Sequence, residues 1–176
     1  MTPDAGSSVG VIGGGAWGTA LALVAARAGR DVLLWARDAD QVETINATAR
    51  NPRYLPEIEL NPPLRATADL GEVTGCAILV LATPAQTTRQ VAARIAADLR
   101  PATPIVLAAK GFERGSSKLL SDVLREVAPA ARPAALSGPS FAVDVASGLP
   151  TAVTIAADDA SLARKQIGRA SCRERV

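Results

Sequence analysis

A doubly wound α/β fold with a mostly parallel sheet is predicted by three features of this 176-residue sequence. Short β-prone apolar runs alternate with helix-length segments along most of the chain. That alternation requires crossover connections, which build parallel sheets. The apolar content is 48% with only 3% aromatic, so the core must come from Ala, Val, Leu and Ile. The first run, Val9-Gly10-Val11-Ile12, passes through three glycines into an alanine-rich stretch and then into Val32-Leu33-Leu34-Trp35, completing a βαβ unit.

Within that unit the spacing Gly13, Gly15, Gly18 reads as a dinucleotide cradle and makes the fold Rossmann type. Gly13 permits a tight turn, Gly15 lets the backbone approach a pyrophosphate, and Gly18 allows the following helix, expected over residues 17–28, to pack closely on the strand. Its free N–H groups and positive dipole end would face the phosphates. A glycine-rich hairpin with no ligand is the alternative for the motif alone.

The remaining elements follow in order. Asp38 can cap a helix running to about Ala49. Residues 51–63 carry Pro52, Pro56, Pro62 and Pro63, so no regular element is expected there, but an ordered excursion or lid near the crevice. Residues 77–82 read as a central buried strand, and 87–99 as an amphipathic helix with Val91, Ile95 and Leu99 along one face. Strands are then expected at 104–109, 134–137 and 151–156, and helices at 117–127 and 141–147.

Charge and composition exclude several functions. The formal net charge is +2, and the excess sits in residues 166–176, where Arg169, Arg173 and Arg175 face Glu174 alone. Without that tail the chain holds sixteen basic and sixteen acidic side chains, so no nucleic-acid partner is expected. The tail breaks the preceding organisation and is expected to be non-native sequence; a basic C-terminal extension is the alternative. No apolar run approaches the roughly 20 residues that cross a bilayer, and the first residues lack the pattern of a signal peptide. A cytoplasmic protein without a membrane partner is the expectation. Cys76 and Cys172 have no metal-ligand spacing, Cys76 reading as a small buried hydrophobe. No metal site is expected. Histidine is absent, which leaves proton transfer to Lys, Asp, Glu, Tyr or Cys.

In an open α/β sheet, ligands bind beyond the carboxyl ends of the strands. Arg37 stands where a nucleotide-binding unit reads the adenosine ribose, and its guanidinium suits the 2′-phosphate of NADP; Asp38 beside it leaves room for NAD. Lys110, one of three lysines against sixteen arginines, follows an apolar strand and precedes Gly111. There it could neutralise a substrate phosphate or polarise a carbonyl, a solvated loop lysine being the alternative. Ser137-Gly138-Pro139-Ser140 offers N–H groups and a hydroxyl at the start of a short helix, as an anion site or simply a serine cap.

Together these positions resemble the bacterial NAD(P)-dependent glycerol-3-phosphate dehydrogenases over nearly all of residues 8–157. The motifs that carry the resemblance are Val11-Ile12-Gly13-Gly14-Gly15-Ala16-Trp17-Gly18-Thr19-Ala20-Leu21-Ala22, Leu34-Trp35-Ala36-Arg37, Asn51-Pro52-Arg53-Tyr54-Leu55-Pro56, Ala82-Thr83-Pro84-Ala85-Gln86, Ala109-Lys110-Gly111-Phe112-Glu113, Ser137-Gly138-Pro139-Ser140-Phe141-Ala142 and Gly148-Leu149-Pro150-Thr151-Ala152. The resemblance implies an oxidoreductase interconverting sn-glycerol 3-phosphate and dihydroxyacetone phosphate with NADP or NAD, feeding phospholipid synthesis. It implies cofactor contacts from Gly13, Gly15, Ala16, Trp17 and Gly18, and from Arg37, Tyr54, Pro84, Lys110 and Ala142. Substrate contacts are implied for Lys110, Gly138 and Ser140, with a homodimer of the longer protein allowed. Family members often carry His where this chain has Asp38, which keeps both cofactors open. The family's proton-accepting lysine and all-helical substrate domain are expected beyond Lys165. Residues 1–165 therefore read as an NAD(P)-binding domain incomplete at its C-terminal end, and the chain as a truncated fragment inactive alone. The alternatives are a nucleotide-binding module without catalysis, or a hydroxyacid or sugar-nucleotide dehydrogenase sharing the domain.

Overall fold

The computed structural model describes residues 8–157; the tail at residues 166–176, with Cys172, and Lys165 lie outside the described residues. The chain runs β1 (Val9–Ile12), α1 (Ala16–Arg27), β2 (Val32–Trp35), α2 (Ala39–Thr48), β3 (Arg50–Asn51), β4 (Leu55–Glu59), β5 (Arg65–Thr67), α3 (Leu70–Thr74), β6 (Ile78–Leu81), α4 (Thr88–Ile95), β7 (Thr103–Leu107), α5 (Leu120–Val127), β8 (Ala131–Ser137), α6 (Ala142–Ala146) and β9 (Thr154–Ala157). Seven strands form one sheet in the order β5-β2-β1-β6-β7-β8-β9. All neighbours pair parallel except β8 with β9, which are antiparallel. The expected doubly wound, mostly parallel sheet is therefore the observed one.

Strands β1 and β2 are buried at every residue, as central parallel strands covered on both faces must be. Ile12, Leu79, Leu81, Ile105 and Leu107 pack on one face with Leu70 and Val73 of α3, Val91 and Ile95 of α4, and Leu120 and Leu124 of α5. On the other face Val9, Val11 and Leu34 pack with Ala20 and Leu23 of α1, Ile45 of α2 and Val145 of α6. The small residues follow from this layering. A Cβ at Gly10 would lie 2.4 Å from Val73 Cγ1, so the short α3 can sit against β1 only over a glycine. Cys76 is buried beside these strands, as its sequence context implies, and burial pushes its thiol pKa up.

Several boundaries depart from expectation. Helix α1 starts at Ala16, one residue early, and Gly29 takes a φ of 76° just past its end, as a helix stop requires. The segment 51–63 is not devoid of regular structure: β3 and β4 form a small antiparallel pair. A two-stranded ribbon leaves both outer edges free, so Pro56 removes no needed donor. Strand β5 and helix α3 carry no sequence signal, since three and five residues hold too little periodicity to register. Residues 87–99 form α4 only to Ile95, with tighter 3₁₀ turns at Ala85–Thr87 and Ala96–Asp98. Helix α5 starts at Leu120 rather than 117, because Ser117 takes a φ of 56° and Phe112 bridges Leu119 in a loop stem. Strand β7 ends at Leu107, β8 begins already at Ala131, and α6 spans only Ala142–Ala146. Strand β9 starts three residues late, at Thr154. No helix among the described residues is long and apolar enough to cross a membrane.

Candidate functional site

The strand order reverses between β1 and β6, whose crossovers leave in opposite directions. At such a switch point the loops at the carboxyl ends diverge and leave a crevice. The loop after β1 turns at Gly13, whose φ of 129° excludes most side chains and whose Cβ would lie 2.8 Å from the Ala82 carbonyl. Gly18 is required more severely, since a Cβ there would fall 1.8 Å from the Gly13 carbonyl oxygen. Gly15 differs: nothing lies within 4 Å of where its Cβ would be. Its lack of a side chain serves no contact within the described protein and leaves space over the loop.

Helix α1 opens onto that space. No side chain caps its N-terminus and no acidic residue stands in its first turn, so the leading N–H groups of Ala16, Trp17 and Gly18 are left for an anion. Trp17 is half-buried, packed between two core clusters. The loop is pinned from outside the βαβ unit. Asn51, buried at the end of β3, donates through Nδ2 to the Gly14 carbonyl at 3.0 Å and to Thr19 Oγ1 at 2.8 Å. Gln41 Nε2 donates to the same carbonyl and, at 3.3 Å, to Asn51 Oδ1.

Past the end of β2, Arg37 is exposed and makes no hydrogen bond or ion pair among the described residues. Asp38 caps α2, its Oδ1 accepting from the Asp40 N–H at 3.1 Å, while Oδ2 accepts from Arg53 Nη1 at 3.2 Å. The Arg53 guanidinium also lies over Tyr54, 5.4 Å from the ring centroid. The excursion thus brings Arg53 and Tyr54 to the end of β2.

At the other end the loops after β6, β7 and β8 converge. Pro84 opens the 3₁₀ turn and its carbonyl accepts from the N–H and hydroxyl of Thr87. Beside it the Thr83 hydroxyl is buried without a partner among the described residues, a group that a ligand atom would complete. Lys110 is exposed and lies three residues beyond β7 rather than directly after it; its Nζ donates to the Gly138 carbonyl at 3.1 Å. Ser140 does not cap α6, whose N-cap is Phe141; its hydroxyl donates to the Ala152 carbonyl at 3.1 Å. Ala142 opens α6 and packs against the α1 face of the core. The Lys110 loop is clamped by Gln86, which donates to the Phe112 carbonyl at 2.9 Å and accepts from the Arg114 N–H at 2.8 Å. It is clamped again by Arg89, bidentate on Glu113 at 2.7 and 2.9 Å. Those bonds from Arg89, then that from Ser116, pull the Glu113 carboxyl down to about 2.

All the residues singled out in the sequence lie on this one edge of the sheet, Arg37 and Tyr54 at one end and Lys110, Gly138 and Ser140 at the other. Sequence reasoning assigned no part to Asn51, Gln41, Gln86, Arg89 or Arg53. Only a polar residue next to proline, as in Asn51-Pro52 or the start of Asn61-Pro62, was visible in the sequence, and it marks a turn more often than a buried network. Uncapped N–H groups, open space over Gly15 and the orphaned Thr83 hydroxyl fit a dinucleotide spanning these ends. No group of three or more His, Cys, Asp or Glu that could hold a metal ion occurs among the described residues.

Fold and crevice define a dinucleotide-binding Rossmann domain. Residues 8–163 match the family model described as the N-terminus of NAD-dependent glycerol-3-phosphate dehydrogenase, and the chain belongs to that family. It is 55% identical over 155 residues to a glycerol-3-phosphate dehydrogenase [NAD(P)+] of Azorhizobium caulinodans, covering 88% of this chain and 47% of that protein. A counterpart of the same name in Rhodopseudomonas palustris is 52% identical over 158 residues, with 90% and 48% covered. The chain spans about half the length of the curated relatives it matches. The crystal structure of glycerol-3-phosphate dehydrogenase from Coxiella burnetii superposes with a TM-score of 0.89 at 33% identity, over 97% of this chain and 52% of that one. A UDP-D-ManNAc dehydrogenase from Pyrococcus horikoshii, at 13% identity and a TM-score of 0.76, shares the fold.

Proposed function

We propose that this chain is the cofactor-binding half of an NAD(P)-dependent oxidoreductase that interconverts sn-glycerol 3-phosphate and dihydroxyacetone phosphate, supplying glycerol 3-phosphate for phospholipid synthesis. The observation that carries the reading is the uncapped α1 N-terminus behind an open Gly15, flanked by Arg37 at one end and Lys110 at the other. The bound nicotinamide supplies or takes the hydride exchanged with C2 of the substrate, chemistry no side chain offers. Gly15, Ala16 and Gly18 hold the pyrophosphate with backbone N–H groups and Gly13, whose own N–H donates to the Trp35 carbonyl at 3.0 Å, makes the turn beneath it, while Trp17, Tyr54, Pro84 and Ala142 shape the walls. Arg37 faces the adenosine ribose. The Lys110 ammonium, already turned to the Gly138 carbonyl, balances the substrate phosphate or polarises its carbonyl. Ser140 and Gly138 border the same space. Cytoplasmic location and homodimerisation belong to the same proposal, as does catalysis by the longer protein.

Gly15 allows a test that separates binding from folding. Its φ of −73° is ordinary for any residue and a Cβ there meets nothing. Gly15→Val is expected to unfold at the same denaturant concentration as the parent chain, yet to bind NADPH and NADH at least tenfold more weakly in fluorescence titration. Undiminished binding of both cofactors by a folded Gly15→Val chain overturns the placement of the pyrophosphate.

A further inference from the structure

We infer that Arg53 sets the choice between NADP and NAD by occupying Asp38, an inference that rests on the cofactor site proposed above. An acidic residue at the end of the second strand ordinarily accepts the ribose hydroxyls of NAD and repels the 2′-phosphate of NADP. Asp38 stands in that position, and its backbone continues directly from Arg37. Each of its oxygens already accepts a hydrogen bond. Oδ1 accepts from the Asp40 N–H as the cap of α2, and Oδ2 accepts from Arg53 Nη1. The crevice mouth therefore presents two guanidinium groups, Arg37 and Arg53, with Asp38 paired to the second of them and Asp40 the other acidic residue in the first turn of α2.

The Arg53 side chain is placed for this by its own neighbours. It follows Pro52 at the start of the excursion, and its guanidinium lies 5.4 Å from the Tyr54 ring centroid, a cation–π geometry that holds it over Asp38. Its side chain is 65% exposed and that of Asp38 44% exposed. Ion pairs so exposed contribute little to folding, so the pair matters chiefly for what approaches it. A dianionic 2′-phosphate meets the two guanidinium groups, with Asp38 already paired, while Arg53 holds Asp38. With Arg53 gone, the same phosphate meets a carboxylate without its cation, and the ribose diol of NAD finds Oδ2 relieved of its donor while Oδ1 still caps α2. Arg53 acts here through Asp38, as a positioning residue.

The test is a four-way comparison of the 176-residue chain, Arg53→Ala, Asp38→Asn and the double variant, each titrated with NADPH and with NADH. Arg53→Lys is added as the conservative variant. Arg53→Ala is expected to weaken NADPH at least tenfold, to leave NADH unchanged or tighter, and so to move the affinity ratio at least tenfold toward NADH. In the Asp38→Asn background, Arg53→Ala should move that ratio by less than threefold, and Arg53→Lys should recover most of the parent ratio. Denaturant midpoints within a few tenths molar of the parent keep the comparison free of unfolding. An equal loss for both cofactors would make Arg53 a general anion contact and overturn the inference, as would an unchanged ratio, or a shift of the same size with Asp38→Asn in place. Each of these leaves the cofactor site standing. A parent chain that binds neither cofactor removes both together.

Discussion

The carbonyl of Gly14 carries the glycine loop on bonds that come from outside the βαβ unit. Asn51 reaches it from β3 and also donates to Thr19 Oγ1, inside a space where Asn51 itself is 1% exposed. Replacing it with Ala leaves the Thr19 oxygen without that donor in a dry setting, while Gln41 still serves the Gly14 carbonyl. A buried group losing its partner is destabilising by about 1–3 kcal/mol. Asn51→Ala is expected to lower the unfolding free energy by that amount and to weaken cofactor binding as the loop loosens. Equal stability and affinity in parent and variant would show the network to be incidental. The difference in legibility between Asn51 and the glycines is physical. Gly13 and Gly18 are required by sterics, and a steric requirement shows in the residue type at a fixed spacing. Asn51 is required by a bond to a residue 37 positions away, and no local pattern encodes a distance along the chain. Arg53 is hidden in the same way, 15 positions from Asp38.

At the scale of elements, the loop that carries Lys110 is held by hydrogen bonds from Gln86 and by ion pairs. Arg89 on α4 grips Glu113 with two bonds and reaches Glu126 on α5 at 2.9 Å, while Lys118 closes on the same Glu126. The folded Glu113 carboxyl titrates at about 2 against an ordinary 4.5, chiefly through the Arg89 bonds, and Glu126 is lowered as well, first by Lys118. A folded pKa below the unfolded one gives stability that is present above pH 4.5 and lost as pH falls from there through about 2. Glu113→Gln should therefore flatten the acid limb of the stability curve in that window and leave a smaller difference between pH 4.5 and 2. Superimposable acid unfolding curves for parent and variant would sink the assignment. This network also accounts for the late start of α5: the bridge from Phe112 to Leu119 takes the residues expected to begin it. The long strands and α1 were legible because burial on both faces and a run of small residues repeat over several turns or positions. Strand β5 and helix α3 were not, being three and five residues long and held by β2 and β1 more than thirty positions away, and the local β3–β4 pair is masked by the prolines around it.

Across the whole molecule the two faces of the sheet are unequally finished. The face under α3, α4 and α5 closes over Leu79, Leu81, Ile105 and Leu107, all nearly inaccessible. On the other face, beside the crevice, Phe141 is 75% exposed, Leu149 55% and Val143 54%, with Val153 at 46%. These four fall within thirteen residues around α6, and the Gly138 backbone packs directly against Val153. Phe112 and Leu119, also exposed, stand on the neighbouring loop that Lys110 joins to Gly138. Scattered exposed apolar residues need no account, but several large ones on adjoining loops form a patch, and patches beyond a few hundred Å² favour association. The 176-residue chain is therefore expected to self-associate as its concentration rises and to bind a hydrophobic dye in its folded state. Sedimentation velocity across a hundredfold concentration range checks the first, and dye fluorescence the second. A Phe141→Ser, Leu149→Ser variant should sediment closer to a monomer with an unchanged denaturant midpoint, since neither side chain is buried. A parent chain that stays monomeric across the range and leaves the dye dark would show that these side chains make no patch.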